Sequence, residues 1–485
     1  NMTSHWMMRA LALWEASQEG VPHELNELDW KASLSLQKER LTEHLCAFAN
    51  LPHGGFLVFG VDNTAKPVGL TQDQIDEICN TLANLGREAV DPPLQLHHGV
   101  EFIHAAALLF VHIPEQPHKP VHRRGKSIEE SWIRSAGTTR KASRAEIGSL
   151  MLHSFTPRWE ELRASSLLRP DQVVELLDLT AIRTLLQRPS IDNPAERLRW
   201  AQDEKLITPD ADGHYITNLG AIAAARELST FDRLARKCVR VIRYAGNNKV
   251  DTIGEAVIHK GYAVGFEELI EYLKQILPHS EVIKQSLRQQ VTVYPEIALR
   301  ELIANALIHQ DFTMGGTGPL IEIFNDRITI TNPGGLLPGK RLDRLIGTTP
   351  QSRNEALASA FRQYRICEER GTGFQKVVAA IELFGLPPLL VRQEETALQV
   401  TLYAPRAFAD MGQTERIEAC YQHAVLQYLS SQTLTNTSLR QRFKLHDKQR
   451  NQITNLIADA VDAGRIKRKD AASGNKFAEY LPYWA

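Results

Sequence analysis

A chain of 485 residues is far longer than the length at which a single hydrophobic core stops growing, so it must divide into several domains. Hydrophobic residues make up 43% of the chain and charged residues 23%, which is ordinary for globular domains and excludes a largely disordered or fibrous protein. We therefore predict three or four domains, each with a core of its own.

Charge, cysteine usage and hydropathy narrow the protein class further. The formal net charge is −1, so nucleic acid could be bound only through local basic patches. The five cysteines lie far apart and lack the spacing of a zinc site or redox pair, which fits a reducing cytoplasm. Because no segment approaches the roughly 20 apolar residues that span a bilayer, we expect a cytoplasmic protein that does not contact membranes.

The hydrophobic pattern predicts a first α+β domain over residues 9–150. Apolar residues recur at helical spacing over Leu34–Ala49, the pair Gly54-Gly55 breaks this helix, and Phe56–Val61 has the pattern of a buried strand. The capping-box spacing of Ser143–Glu146 predicts the start of the last helix.

Two further regions have the order of elements of winged helices. Residues 165–226 show short helical patterns followed by a wing-like hairpin over residues 206–217. Residues 414–485 show three helical patterns, a turn at residues 472–475 and a returning segment, Lys476–Tyr480. We predict a small winged helix in the first region and a winged helix-turn-helix in the second.

Residues 236–405 mix helices and strands. Strand Cys238–Tyr244 opens this region, a helix pattern follows at Glu296–His309, and strand patterns follow at Leu320–Phe324 and Ile328–Thr331. Together with the other three regions, this predicts a multidomain α+β fold.

Three carboxylates in the first region form a candidate metal site. Glu24 and Asp29 precede Lys31, and Asp62 ends the glycine-flanked strand. Carboxylates grouped beside a lysine can bind Mg²⁺ or Mn²⁺ and position a phosphodiester for attack by water. The alternative is a solvated acidic loop with a surface lysine.

The order of the motifs around these acids resembles the Schlafen/AlbA-like family over roughly the first 150 residues. This resemblance implies nucleic-acid binding, and in some Schlafen proteins carboxylates matching Glu24, Asp29 and Asp62 form a metal-dependent ribonuclease site, although Asp29 stands where Glu is more usual. Arg134 and Arg140 are then candidates for phosphate contacts. The motifs are Glu24, Asp29-Trp30-Lys31, Ala47–Asn50, Gly54-Gly55, Gly60–Asp62, Trp132–Arg134 and Gly137–Arg140.

A second constellation begins on the helix pattern at Glu296–His309. Glu301 and Asn305 are four residues apart and therefore share one face, where a carboxylate can orient water and an amide oxygen can reach Mg²⁺. Asn332–Gly335 follows a strand, and residues 369–373 precede a new helix. Glycines at such places let the backbone approach a nucleotide; the alternative is two turns and a helix cap.

These pieces in this order resemble the GHKL class of ATPases, in the divergent form similar to the RecG helicase C-terminus, over roughly residues 240–405. The resemblance implies a GHKL-like α/β sandwich that binds ATP or ADP with Mg²⁺. Glu301 would be the water-orienting base of a weak ATPase, Asn305 the magnesium ligand, and Asn332 would stand where the class usually has an adenine-reading Asp. The other residues implied to contact the nucleotide are His309, Gly334, Gly335, Arg353, Gly371, Thr372 and Gly373.

A Walker A spacing in the same region is rejected. Gly334–Lys340 has the glycine and lysine spacing of that loop, but Arg341 replaces the required Ser or Thr, and Pro338 removes a backbone donor. We therefore predict no P-loop.

The C-terminal region is locally basic. Residues 440–476 contain ten Lys and Arg against four Asp, on a chain that is otherwise nearly neutral. This excess predicts phosphate contacts from the start of a recognition helix and from a wing, whereas the alternative is a charged dimerisation module. The residues concerned are Lys448, Arg450 and Asn451 in the helix and Lys467, Arg468, Lys469 and Lys476 in the wing.

Two hypotheses for function follow. The first is a cytoplasmic, homodimeric transcriptional regulator that binds double-stranded DNA and responds to ATP or a related nucleotide as an effector. The second is a metal-dependent endonuclease or endoribonuclease, acting through Glu24, Asp29 and Asp62 in defence against phage. A dispersed set of carboxylates would argue against the second hypothesis.

Overall fold

The fold was analysed in a computed structural model, which describes residues 5–210, 213–284, 287–347, 352–367, 372–472 and 474–485. The protein has mixed helices and strands, and its contacts divide it into two compact units. The first unit comprises residues 1–158, 167–169 and 208–215, and the second comprises residues 159–166, 170–207 and 216–485. The four domain boundaries proposed above stay predictions.

The N-terminal part of the chain alternates between helices and short strands. Its elements are α1 (His5–Gln18), β1 (Leu28–Lys31), α2 (Lys38–Asn50), β2 (Gly55–Phe59), α3 (Gln72–Glu88), β3 (Val90–Asp91), β4 (His97–Ile103), β5 (Ala106–Ile113), β6 (His122–Arg123), β7 (Trp132–Ser135), β8 (Thr138–Lys141) and α4 (Arg144–His153). The predicted capping box is present at the start of α4, where the Ser143 hydroxyl accepts from the Glu146 amide and the Glu146 carboxylate accepts from the Ser143 amide.

A four-stranded sheet with the order β1-β2-β5-β4 forms the centre of the first unit. Side chains of β2 alternate between its faces: Phe56 and Val58 pack against α1, whereas Leu57 and Phe59 pack on the side of α2 and α3. Both faces are therefore buried, which explains why β2 has a continuous hydrophobic sequence. The parallel pairing of β1 with β2 places Asp29 opposite Leu57, on an edge strand of the sheet.

The next part contains α5 (Pro170–Leu176), α6 (Leu179–Leu185), α7 (Pro194–Asp203), β9 (Ile207–Asp210), β10 (Gly213–Ile216) and α8 (Asn218–Ala224). β9 and β10 form the hairpin that the sequence predicted.

The largest sheet has six strands in the order β12-β11-β15-β16-β18-β17 and belongs to the second unit. β11 and β15 are parallel and the other neighbours are antiparallel. Helix α10 has the bounds that the pattern predicted and packs against β16 and α12. The elements of this part are β11 (Val239–Tyr244), β12 (Thr252–Ile258), α9 (Phe266–Ile276), β13 (His279–Lys284), β14 (Leu287–Thr292), α10 (Glu296–His309), β15 (Leu320–Ile323), β16 (Arg327–Pro333), α11 (Glu355–Gln363), α12 (Gly373–Phe384), β17 (Leu390–Gln393) and β18 (Ala397–Tyr403).

The chain ends with three helices and a two-stranded hairpin around a separate hydrophobic core that includes Leu439, Ile453 and Leu456. The predicted returning segment is displaced: Lys476 lies in a 3₁₀ turn, and the returning strand begins at Tyr480. The elements are α13 (Gln413–Leu429), α14 (Asn436–Arg442), α15 (Arg450–Asp462), β19 (Ile466–Arg468) and β20 (Tyr480–Pro482).

Candidate functional site

The predicted metal site in the first unit is not assembled. The Asp62 carboxylate is exposed and accepts hydrogen bonds from the Thr64 amide and hydroxyl and from the Lys66 amide, at 2.9, 2.7 and 2.9 Å. These bonds lower the pKa of Asp62 and fix a turn. Among the described residues, no three His, Cys, Asp or Glu side chains are grouped as a metal site requires. The structure therefore does not bring Glu24, Asp29 and Asp62 together, and metal binding by these three residues stays a prediction.

Asp29 is instead the centre of a buried charge network. Its carboxylate lies 3.5 Å from the Lys31 ammonium, 3.5 Å from the His44 imidazole and 3.8 Å from the Arg134 guanidinium. Burial lowers the pKa of His44 to about 3, so this imidazole is neutral at pH 7 and contacts Asp29 without a charge. Two cations thus offset the negative charge of Asp29, which lowers the affinity of this carboxylate for a metal ion.

Glu24 is the protonated partner of Asp29. Burial, followed by the hydrogen bond with Asp29, raises the pKa of Glu24 well above its usual range. Burial also opposes ionisation of Asp29, but the hydrogen bond from Glu24 and the adjacent Lys31 and Arg134 together lower its pKa. The pair therefore carries one negative charge at pH 7 and shares a proton.

Arg134 and Arg140, which were predicted to contact phosphates, both bind other residues of the protein. The Arg134 side chain is 1% exposed, donates to the backbone carbonyls of Leu25, Asn26 and Gly137, and stacks 4.6 Å from the Phe48 ring centroid. These contacts hold the fold together and bury the side chain, and its contact with nucleic acid stays a prediction. Arg140 is half-exposed but forms two hydrogen bonds with Glu146, at 2.9 and 2.8 Å.

In the second unit, the predicted nucleotide residues gather around one cavity of about 350 Å³. This volume lies within the range of roughly 300–1,000 Å³ that is typical of small-molecule pockets. The cavity lies between α10, the end of β16, α11 and the start of α12. The predicted residues in its lining are Glu301, Asn305, His309, Asn332, Gly335, Arg353 and Gly373.

The remaining predicted residues are sequence neighbours of residues that line the cavity. Gly334 precedes the lining residue Gly335 and has a φ of +94°, which favours glycine. Thr372 is the residue before α12. Gly371 lies outside the described residues.

One side chain of the cavity wall is suited to a polar ligand. The Asn305 amide nitrogen is buried and has no hydrogen-bond partner in the described part of the chain. A buried unpaired donor is unfavourable unless a ligand or water satisfies it. The same amide, rotated by 180°, would present its oxygen to a cation such as Mg²⁺.

Glu301 lies directly against the first turn of α12. A Cβ at Gly373 would lie 1.9 Å from a Glu301 carboxylate oxygen, so only glycine leaves room for this carboxylate in its present place. Glu301 is 9% exposed. Gly373 therefore serves close packing of a side chain that lines the cavity.

The cavity lining also contains charged residues that the sequence reasoning missed. Lys340, Arg362 and Glu355 line the cavity beside the predicted Glu301 and Arg353. Lys340 belongs to the rejected Walker-like segment: a single 3₁₀ turn, Leu342–Arg344, follows it in place of the α-helix of a P-loop, yet Lys340 lines the cavity. The lining thus contains three cations and two carboxylates, and one of the cations, Arg353, is also paired with Asp311.

His309 is a neutral hydrogen-bonding group in this wall. Burial, followed by the nearby Lys340 and Arg353, lowers its pKa to about 4. The imidazole is therefore uncharged at pH 7 and can donate or accept one hydrogen bond at each nitrogen.

The segment around Arg353 is fixed by contacts on both sides of the cavity. Arg353 lies 3.3 Å from Asp311 and donates to the Gly335 carbonyl, and the Asn354 amide donates to the Ile308 and Gln310 carbonyls at 2.7 and 2.8 Å. The buried Glu160 carboxylate then caps α11 by accepting from the Ala356 and Leu357 amides, both at 2.9 Å. No sequence signal near Glu160 indicates this contact, because its partners are almost 200 residues away.

The basic residues of the C-terminal part are largely exposed. Arg450 and Asn451 are exposed at the start of α15, and Lys448 is exposed in the 3₁₀ turn that precedes this helix. In the hairpin, Lys467 and Lys476 are exposed, Lys469 is exposed and lies 3.6 Å from Glu479, and Arg468 is half-buried. Arg440, by contrast, is paired with Asp447 and buried.

Comparison with protein families supports the two resemblances. Residues 24–143 match the family model described as Schlafen, AlbA_2, and residues 316–402 match the one described as putative ATP-dependent DNA helicase recG C-terminal. Both predicted resemblances are confirmed. The second match includes Asn332, Gly335, Arg353 and Gly373 but begins after Glu301 and Asn305.

Two solved structures are similar to the chain. One is the crystal structure of the DIP2311 protein from Corynebacterium diphtheriae, with 15% identity, a TM-score of 0.43, and coverage of 98% of this chain and 96% of that one. The other is the solution structure of the N-terminal domain of a putative ATP-dependent DNA helicase RecG-related protein from Nitrosomonas europaea. For it, the identity is 26%, the TM-score 0.23, and the coverage 30% of this chain and 94% of that one.

No curated protein matches the chain. No helix among the described residues is both long and apolar enough to cross a membrane.

Proposed function

We propose that this protein is a DNA-binding regulator that binds ATP or a related nucleotide as an effector. The observation that carries the proposal is the cavity of about 350 Å³, in which residues from distant parts of the sequence meet as a GHKL-like nucleotide site would require. The family match over residues 316–402 supports the same assignment.

Each part of a nucleotide has a suitable partner in the lining. The Asn332 amide can accept a hydrogen bond from an adenine amino group. Lys340 and Arg353 supply positive charge for phosphates, and Asn305 supplies either a donor for a phosphate oxygen or an oxygen ligand for Mg²⁺. Glu301 would orient water in a slow hydrolysis reaction.

An effector role is favoured over rapid turnover. Asn332 lacks the charge of the Asp that this class usually has, and Gln310 stands where related proteins commonly have a basic residue. Gln310 is fully buried, and its amide donates to the Tyr262 hydroxyl and the Leu307 carbonyl at 2.8 and 3.3 Å. This side chain is therefore committed to the core and supplies no phosphate contact.

The C-terminal part supplies a surface for DNA. Three helices followed by the β19–β20 hairpin have the order of a winged helix-turn-helix, in which α15 is the recognition helix. Arg450 and Asn451 are exposed at its start, and Lys467 and Lys469 extend from the hairpin. These positions suit base and phosphate contacts, respectively.

The nuclease hypothesis has less support. Asp62 is committed to its own turn, and Asp29 is neutralised by Lys31 and Arg134. The Schlafen-like match over residues 24–143 still supports a nucleic-acid-related role for the first unit without requiring cleavage.

The function is tested by measuring DNA affinity through fluorescence anisotropy of a labelled duplex, with and without ATP and Mg²⁺, over a series of salt concentrations. The variant Lys467→Gln/Lys469→Gln should bind more weakly, and its salt slope should fall by about 2, since each lost phosphate contact removes about 1. Arg233→Gln, an exposed change outside the hairpin, is the control and should bind like the parent.

Two results would contradict the proposal. Equal DNA affinity of the hairpin variant and the control would exclude the wing as a DNA surface. Equal affinity of the parent with and without ATP would exclude the effector role.

A further inference from the structure

One wall of the nucleotide cavity is formed by a segment that also contacts the C-terminal part of the chain. Leu336, Leu337, Lys340 and Leu345 of this segment line the cavity. Asp343 and Arg344 lie between Lys340 and Leu345 in sequence and contact aromatic residues of the C-terminal part.

Asp343 accepts two hydrogen bonds from that part. Its backbone carbonyl accepts from the Tyr421 hydroxyl, and its carboxylate accepts from the Tyr483 hydroxyl. The Trp484 indole nitrogen donates to the Tyr421 hydroxyl at 3.0 Å, and the Arg344 guanidinium lies 3.9 Å from the centroid of the Trp484 ring. We call these five residues the rim latch: Asp343, Arg344, Tyr421, Tyr483 and Trp484.

The rim latch lies at the base of the basic hairpin. Tyr483 directly follows β20, and Arg465 directly precedes β19. The Tyr483 amide donates to the Arg465 carbonyl at 3.1 Å, which closes the hairpin at its base. The Arg465 guanidinium lies 3.8 Å from the Tyr421 ring centroid and 2.6 Å from the Glu418 carboxylate. Both ends of the hairpin that carries Lys467 and Lys469 are thus attached to the latch.

The latch combines burial with directional contacts, so its geometry is specific. Tyr421 is 1% exposed, and its ring and hydroxyl are both occupied by the contacts above. A shift of the 336–345 segment would therefore require these hydrogen bonds to break or the base of the hairpin to move with it.

We propose that the rim latch transmits occupancy of the nucleotide cavity to the DNA-binding hairpin. This inference rests on the proposed function and specifies how the same site would be regulated. A ligand that binds against Lys340 and Leu345 favours one conformation of the 336–345 segment. Through Asp343, this conformation fixes the position of Tyr421 and Tyr483. A ligand changes DNA affinity only if it binds the two conformations of this segment with different affinity, and the latch then couples the favoured conformation to the hairpin.

The test removes the two hydroxyls that bind Asp343 and leaves the rings in place. The variant is Tyr421→Phe/Tyr483→Phe in the full chain. The matched control is Tyr480→Phe, which removes a hydroxyl from the same hairpin at a residue that pairs through its backbone with Leu434 and Arg468. Hydrogen exchange of residues 465–469 and 480–483 is measured with and without ATP and Mg²⁺, and DNA anisotropy is measured on the same samples.

In the parent and the control, ATP should change exchange in both hairpin strands and alter DNA affinity by about tenfold, which is within the usual range for coupled sites. In the double variant, the affinity change should fall to less than about twofold. ATP affinity and nucleotide-free DNA affinity should each remain close to the parent value. Loss of coupling with both binding activities intact is a result that a merely destabilised C-terminal part would not give.

The proposal is overturned if the double variant keeps the parent's response to ATP. It is also overturned if ATP binds the parent but leaves hairpin exchange unchanged, a result that would leave nucleotide binding itself standing. Failure of the parent to bind ATP at all would instead overturn the proposed function, and calorimetry on the same protein distinguishes that case.

Discussion

The Asp29 network of the first unit and the cavity of the second unit look alike in sequence but differ in how their polar groups are satisfied. Around Asp29, each charge has a partner within the protein: Glu24 shares its proton, and Lys31 and Arg134 balance the remaining charge. Around the cavity, the Asn305 amide nitrogen lacks a partner among the described residues, and cations line an open volume. A group that is already satisfied stabilises the fold, whereas an unsatisfied group beside a cavity favours a ligand.

The glycines of the two regions show the same contrast. A Cβ at Gly55 would lie 2.1 Å from the Phe48 ring, so this glycine permits close packing of the core. A Cβ at Gly373 would instead meet the carboxylate of Glu301, which lines the cavity. The sequence pattern of glycines beside polar residues is similar in both places, but only the contacts separate a structural glycine from one at a candidate ligand site.

The largest effect is expected for Asp29→Ala. This change leaves Arg134 buried without its carboxylate, and breaking a buried ion pair costs about 3–5 kcal/mol. Urea unfolding, followed by hydrogen exchange in β1 and β2, should therefore show a large loss of stability in the first unit. Asp62→Ala is the comparison, because its carboxylate is bonded only within its own turn and makes no buried ion pair, and it should change this stability far less. Equal losses of stability in the two variants would contradict the conclusion that Asp29 stabilises the fold and Asp62 does not.

The second prediction concerns acid stability and His309. The folded-state pKa of about 4 lies below the ordinary value of 6.5, so protonation of His309 favours the unfolded state. Its stabilising contribution is complete above pH 6.5 and decreases as the pH falls toward 4, with a slope of up to about 1.4 kcal/mol per pH unit. In His309→Gln, the free energy of unfolding of the second unit, measured in urea at pH 7, 6 and 5, should decrease less with falling pH than in the parent. The same decline in both proteins would mean that the buried imidazole is not the cause.

The third prediction tests the close packing at Gly373. In Gly373→Ala, the new methyl group must push the flexible Glu301 carboxylate away from α12 and toward the cavity, while the backbone stays in place. ATP affinity should fall by at least about tenfold, or 1.4 kcal/mol, because a negative charge moves toward the phosphates. Gly315→Ala is a matched control, since a Cβ there meets nothing within 4 Å. Calorimetry that gave the two variants the same ATP affinity would argue against Glu301 facing the ligand.

The smallest effect is expected for Lys340→Gln. Loss of one cation from the lining should weaken ATP binding by about fivefold and leave adenosine binding unchanged, since only phosphates interact strongly with the charge. Lys260→Gln, at a half-exposed ion pair with Glu268 outside the lining, serves as the control. If ATP and adenosine lost affinity equally, Lys340 would contact the base or the sugar instead.

Much of the local structure could be predicted from the sequence because it depends on neighbouring residues. The helix at Glu296–His309 has the predicted bounds, and the capping box at Ser143 and Glu146 is present. Both signals come from spacing within a few turns, where periodicity and capping chemistry act directly. The same holds for the strand at Arg327–Pro333, which contains the predicted run Ile328–Thr331.

The candidate sites were less predictable because their properties depend on distant partners. Arg134 has the appearance of a surface cation in sequence, yet its guanidinium is buried by contacts with residues more than 100 positions away. Lys340 was not predicted to contact a nucleotide because it belongs to the rejected P-loop spacing, yet in the folded chain it lines the cavity. Hydrogen-bond satisfaction is a property of the folded chain, so sequence alone could not separate the Asp29 network from a ligand site.

The most direct test of nucleotide binding is a calorimetric titration of ATP with Mg²⁺ into the full chain and into Asn305→Ala. We expect the parent to bind one ATP per chain and the variant to lose at least about tenfold in affinity, because the unpaired amide would no longer meet the ligand. No saturable binding by the parent, or equal affinity in the variant, would contradict the assignment of the cavity as a nucleotide site.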